Sequence, residues 1–338
     1  MVSDVSQPSD LETQPYAVLI GRSFAWATIA LVSVFLINNY LSNWHSWPGS
    51  LAAFDPSNKF LYLSILQFFL YVLGLNFVVL YIFLTKDKAL RPDSVIIYEI
   101  TNYIIRAAFW SVLLVGFFDM LVSFLRVEGF LQSIVGQNIS SELNRPEYRS
   151  LYLHLPIFVL GFIIAFIHRG LGFIWLALLV VAAELLIVIT RFIFSYEQAF
   201  MGDLVRFWYA ALFLFASAYT LYEDGHVRVD VLYSLFSAKT KGLVNAIGCV
   251  LLGMSLCWII LVLGMANKAT IINSPILNFE VTQTGFGMFV KYWMAGFLAV
   301  FAVSMLLQFV GYFLESLADY RGEPNKREIA GGHGEGAH

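Results

Sequence analysis

The sequence predicts an all-α integral membrane protein of about eight transmembrane helices, and three observations carry that prediction. Apolar residues make up 59% of the 338-residue chain and charged residues 13%, against roughly 45–50% and about 25% in ordinary soluble domains. Apolar runs of about 20 residues, the length a helix needs to cross a hydrocarbon core of about 30 Å, recur along the chain. Short polar clusters rich in Gly, Pro, Asn and Ser separate them.

The runs fall near 21–41, 61–84, 95–125, 150–167, 171–192, 204–222, 243–265 and 290–317. Trp47-Pro48-Gly49 and Asp55-Pro56 part the first two, and Lys86 to Pro92 part the second and third. Asn144-Arg145-Pro146 precedes the fourth. Unbroken, the stretch from Leu151 to Thr190 would be a helix of about 60 Å, twice the bilayer, so His168-Arg169-Gly170-Leu171-Gly172 reads as a tight turn between two helices. Asn273-Ser274-Pro275 marks the loop before the last run. No internal repeat is evident. The stretch from Arg321 onward is polar and Gly-rich, the composition of a mobile tail.

The first twenty residues, with Asp4, Asp10 and Glu12, lack the basic start and cleavage site of a secretory signal, so the N-terminus is expected in the cytoplasm. With that orientation the inner segments hold the larger share of cations: Arg22, Lys86, Lys88, Arg91, Arg169, Arg228, Lys239, Lys241, Arg321, Lys326 and Arg327. Lys59, Arg126, Arg145, Arg149, Arg191, Lys268 and Lys291 lie outside or at that boundary. Both termini are therefore expected in the cytoplasm. The aromatic content of 17%, with Trp44, Trp47, Trp208, Trp258 and Trp293 near helix ends, fits interfacial anchoring.

A net charge of −3 without a dense Lys/Arg face excludes nucleic-acid binding. No phosphate-cradling loop, paired-His metal helix or nucleophile elbow is present, so the chain does not read as an enzyme and no cofactor or metal is expected. Cys249 and Cys257 read as buried thiols. His154 and His168 have the spacing of a two-haem helix, but His45, His226, His333 and His338 offer no axial partners at membrane depth. The two read instead as interfacial histidines capping one short helix.

Ionisable residues inside membrane helices are costly and tied to function or to a partner. Glu184, near the middle of the fifth helix, is the sharpest case. Arg106 and Asp119 lie within the third helix, Arg191 ends the fifth, Asp203 and Arg206 open the sixth, and Lys291 starts the last. These are the candidate intramembrane polar contacts. Glu99, Asn102 and Arg106 share one side of the third helix, whose first turns read as a solvated face along the inner interface.

One segment is more distinctive. Arg191-Phe192 is followed by Arg206-Phe207-Trp208-Tyr209-Ala210-Ala211-Leu212 and then by Tyr222-Glu223-Asp224-Gly225-His226-Val227-Arg228-Val229-Asp230-Val231-Leu232. Residues 171–320 resemble the small membrane subunit, DctQ type, of tripartite ATP-independent periplasmic (TRAP) transporters. Gly225, His226, Arg228 and Asp230 match that family's turn before its third helix, and Lys291 with Gly296-Phe297 sits where its fourth helix would begin. The chain departs from the family in carrying about 170 further residues in front, with about four more helices at 21–170. It also has Asp203 and Arg206 at the opening of the second family helix, and Ala216-Ser217-Ala218 in place of a Gly-containing run.

The resemblance implies a scaffold subunit of a sodium-coupled importer of small organic acids in the bacterial inner membrane. Its partners would be a large elevator-type membrane subunit (DctM type), a periplasmic substrate-binding protein (DctP type) and membrane phospholipid, with the turn at Gly225, His226, Arg228 and Asp230 as a subunit or lipid contact. The stretches Ser195 to Asp203 and Leu277 to Phe289 would face outward and help receive the binding protein. Two other classes compete: a membrane anchor of a redox complex, and a stand-alone transporter or channel lined by Glu184, Arg106 and Asp119.

Overall fold

The computed structural model describes residues 15–170, 173–196, 199–223, 231–282 and 287–326. Among these, eight helices are long and apolar enough to cross a membrane. They are α1 (Pro15–Trp44), α2 (Leu61–Leu84), α3 (Leu90–Val127), α4 (Pro146–Ile167), α5 (Phe173–Phe194), α6 (Ala199–Tyr222), α7 (Ala238–Gly264) and α8 (Lys291–Arg321). Each covers one of the apolar runs, no strand is found among the described residues, and α4 stops before the His168-Arg169-Gly170 break. Large apolar side chains on α2 and α5, such as Phe77, Phe83, Val181 and Phe192, stay exposed. In water they would drive aggregation; in lipid tails they are the favourable surface.

Two helices are not uniform. α4 contains a π-helical turn, Ser150–His154, and α7 another, Cys249–Met254. The turn in α4 ends two residues before Pro156, which has no N–H for the carbonyl of Tyr152 four residues back. The widened turn absorbs that local misfit. Cys249 and Cys257 are buried free thiols, as expected from their apolar run.

The chain forms two compact units. One holds Met1–Ile100, Leu221–Ile259 and Met305–His338; the other holds Thr101–Thr220 and Ile260–Ser304. Each draws on both the N-terminal extension and the C-terminal half.

In the first unit, the end of α8 packs against α1, α3 and α7 at small residues. A Cβ on Gly242 would stand 2.6 Å from the Ser316 carbonyl oxygen and 2.7 Å from the Tyr320 nitrogen, so only glycine lets these backbones meet. At Gly311 and Gly253 the added carbon would meet the rings of Tyr98 at 2.6 Å and Phe309 at 2.7 Å. Arg22 on α1 supplies the polar fastening. It is fully buried, donating from Nε to Asp93 Oδ2 at 2.7 Å, and from its Nη atoms to the Thr85 carbonyl at 2.6 Å, Thr85 Oγ1 at 2.7 Å and the Lys88 carbonyl at 3.3 Å. Arg22 thereby caps the C-terminal end of α2, where carbonyls lack helical partners and the helix dipole favours a cation. Asp93 also accepts from Trp26 Nε1 at 2.8 Å and Tyr81 Oη at 3.0 Å. Arg22, counted in the sequence among the inner-segment cations, is thus an internal tie. Arg91 pairs with Asp319 at 2.7 Å, and Tyr98 Oη donates to Glu315 at 2.8 Å.

In the second unit the core is aromatic. Phe109 of α3 meets Phe215 of α6, and Phe297 of α8 meets Phe207 and Phe215, with centroids 5.1–5.7 Å apart. Gly161 lets α4 lie against the backbone of Ser111, where a Cβ would sit 2.6 Å from its nitrogen.

Candidate functional site

Asp119, on α3, organises the second unit. Its carboxylate is fully buried, ion-pairs with Arg149 of α4 (Nε at 2.9 Å) and accepts from His154 Nε2 of α4 and from the Phe289 backbone N–H just ahead of α8, each at 2.9 Å. A buried carboxylate costs several kcal/mol in desolvation, so this arrangement holds only because a full countercharge and two further donors meet it. Arg149 and His154 are five residues apart. In a regular α-helix, at about 100° per residue, they would diverge by about 140°. The π-helical turn between them closes most of that angle, so both reach the same oxygen.

His154 is committed on both sides. Tyr292 Oη lies 2.6 Å and Trp293 Nε1 3.2 Å from Nδ1. An indole N–H can only donate, so Nδ1 accepts and Nε2 carries the proton given to Asp119. The expectation of an interfacial capping histidine is corrected here: His154 is a buried brace, while His168 is exposed beside the Trp110 ring at 5.9 Å. Neither ring nitrogen of His154 is free for a haem iron. Among the described residues no cluster of His, Cys, Asp and Glu has a metal-holding arrangement.

The same network holds the loop before α8. Phe289 lies between two guanidinium groups, with Arg149 Cζ at 4.6 Å and Arg126 Cζ at 4.9 Å from its ring centroid. Arg126 also donates to the Gly287 carbonyl at 2.8 Å. Asp203, near the start of α6, accepts from the Met288 N–H at 3.1 Å and Thr282 Oγ1 at 3.2 Å, with the exposed Arg206 3.8 Å away. Lys291 pairs with Glu280, and Tyr196 bonds Glu128 at the end of α3. Asp119, Asp203 and Arg126 thus all hold the backbone of Gly287 to Phe289, with the Lys291–Glu280 and Tyr196–Glu128 pairs beside them. Arg149 and Arg126 are internal partners here, where the Lys/Arg count had placed them outside or at the boundary.

The other sequence candidates separate. Arg106 forms no ion pair with any described residue. Glu184 is exposed at the centre of α5 and makes no hydrogen bond or ion pair with any described residue, and Arg191, two turns on along the same side, is exposed too. The turn at Gly225, His226, Arg228 and Asp230 lies outside the described residues. Sequence reasoning missed Asp93, Arg149 and His154 as members of polar networks. The available signal was the need of each buried Asp for a cation, with Arg22 and Arg149 on neighbouring helices.

Residues 179–319 match the family described as the DctQ component of tripartite ATP-independent periplasmic transporters. No curated protein and no solved structure matches the chain. The matched segment runs from the middle of α5 to the end of α8 and contains Asp203, Phe289, Tyr292 and Trp293, whereas Asp119, Arg149 and His154 belong to the helices in front of it. The chain is thus a multi-pass membrane protein that carries, at residues 179–319 and behind additional helices, the DctQ domain of the small TRAP transporter component.

Proposed function

We propose that this chain is the scaffold subunit of a sodium-coupled TRAP transporter in the bacterial inner membrane, with both termini cytoplasmic. It braces a large elevator-type subunit that carries small organic acids. The observation that carries this reading is Glu184. A carboxylate at the centre of a membrane helix costs about 2.5–3.5 kcal/mol on insertion scales, and this one has no partner among the described residues. Val181 and Val188 flank it on the same side at 63% and 49% exposure. Such a face suits another membrane protein that offers a donor or a cation opposite Glu184 and an acceptor opposite Arg191.

The loop ahead of α8, fixed by Asp119, Asp203 and Arg126, supports the second part of the reading, a rigid outward surface for the periplasmic binding protein. The turn at Gly225, His226, Arg228 and Asp230 is assigned as a further subunit or lipid contact on the strength of the family resemblance.

The test is purification from native membranes in mild detergent through a tag on the C-terminal tail. A large many-helix subunit in near-equal amount is the expected outcome, and Glu184→Leu is expected to weaken that association by about 2 kcal/mol or more. A chain that comes out alone and transports solute after reconstitution would overturn the reading.

A further inference from the structure

The turn joining α4 to α5 carries a feature that the scaffold role does not use. Asn102, Arg106 and Trp110 stand four residues apart along α3 and so form one stripe. Each hides a polar atom without a hydrogen-bond partner: Asn102 Oδ1, Arg106 Nε and Trp110 Nε1. The turn meets this stripe. The His168 ring is 5.9 Å from that of Trp110, and Arg169 is close enough to Arg106 for their like charges to act on each other. Neither arginine has an ion pair or hydrogen bond with a described residue. Glu99 on α3 and Glu184 on α5 pair with neither.

Two facing cations and three orphaned polar atoms are unfavourable unless something anionic joins them. The place decides what that is. A turn between two membrane-spanning helices lies at the membrane–water boundary, the level of lipid phosphates. Arginine and indole N–H groups bond phosphate oxygens, with the guanidinium well matched to them. Asn102 Oδ1 needs a donor, which a hydroxylated head group supplies. A choline head offers none, and an ethanolamine head would bring a third cation to the arginines.

We propose that Asn102, Arg106, Trp110 and Arg169 seat the head group of an anionic, hydroxyl-bearing phospholipid of the phosphatidylglycerol class. The phosphate sits between Arg106 and Arg169, and on binding the Trp110 and Asn102 side chains turn outward, so that the Trp110 N–H becomes a further donor and the head-group hydroxyl donates to Asn102. The acyl chains follow the exposed apolar surface of α5 beside it.

The test is the thermal stability of the purified full chain in mild detergent, titrated separately with phosphatidylglycerol, phosphatidylcholine and inorganic phosphate. Phosphatidylglycerol is expected to raise Tm saturably, and the other two are not. Arg169→Gln, in an exposed turn and therefore harmless to folding, should weaken the apparent affinity about fivefold, and Arg106→Gln with Arg169→Gln about 25-fold. Trp110→Phe keeps the ring and should give a smaller loss. Equal shifts with phosphatidylcholine, an unchanged titration in the double variant, or a full shift from inorganic phosphate alone would each overturn the lipid site. If the double variant instead sheds a copurifying protein while keeping its phosphatidylglycerol response, the occupant is a protein carboxylate and the proposal fails.

Discussion

Asp93 and Asp119 are both fully buried carboxylates on α3, each facing an arginine, yet they fasten different things. Asp93 collects Arg22, Trp26 and Tyr81, all side chains of α1 and α2, so its network closes within the N-terminal extension. Asp119 collects two side chains of α4 and a backbone N–H from the DctQ domain, so its network joins the extension to that domain. The added helices are therefore not an appendage. In the second unit they supply the countercharges on which the loop before α8 depends.

The largest expected effect separates these two roles. Asp119→Leu and Asp93→Leu should each cost about 3–5 kcal/mol, because each leaves a buried arginine uncompensated. Only the first should release the loop. A Val290→Cys reporter, 2% exposed in the native chain, is expected to react with a maleimide in the Asp119→Leu background and to stay protected in Asp93→Leu. Protection in both would show that the loop holds without Asp119.

The next effect tests close packing in the first unit. Gly242→Ala places a carbon against the Ser316 and Tyr320 backbone, which cannot turn aside as a side chain can, and should lower stability by about 1–3 kcal/mol. Gly248→Ala, on the same helix with nothing within 4 Å, should leave the unfolding midpoint unchanged. Equal behaviour of the two would mean that helix propensity, not the crossing, sets the outcome.

The smallest effect compares single hydroxyls. Tyr292→Phe removes the donor to His154, and Tyr98→Phe the donor to Glu315. Interhelical hydrogen bonds in membranes average about 0.6 kcal/mol, and Tyr98→Phe should stay near that figure by chemical denaturation. Tyr292→Phe should cost less, because the Trp293 N–H still bonds Nδ1. A larger loss for Tyr292→Phe would mean that its hydroxyl, more than the indole, holds the histidine.

The helices were legible in the sequence because length and hydropathy are local: eight apolar runs became eight helices, and the turn at His168 broke where a helix of twice the bilayer had to break. The DctQ resemblance was legible for the same reason, since its residues follow one another along the chain. The polar networks were not. Asp119 stood out as an ion at membrane depth, but its partners lie 35 residues away at His154 and 170 away at Phe289. The Lys/Arg count placed Arg22 and Arg91 in inner segments and Arg126 and Arg149 outside or at the boundary, because it counts charges without knowing which are neutralised. Arg22 and Arg149 are each fully buried against an Asp.

The π-helical turn in α4 has a consequence for how this protein tolerates change in length. Such a turn is an α-helix with one residue to spare, and Leu151 within it is 54% exposed. Deleting Leu151 would leave a regular α-helix in which Arg149 and His154 stand four residues apart, about 40° from one another, so both would still face the same partner. The tie between the DctQ domain and the helices in front of it therefore tolerates the loss of one residue at this turn, because the α-helix that results keeps Arg149 and His154 on one face.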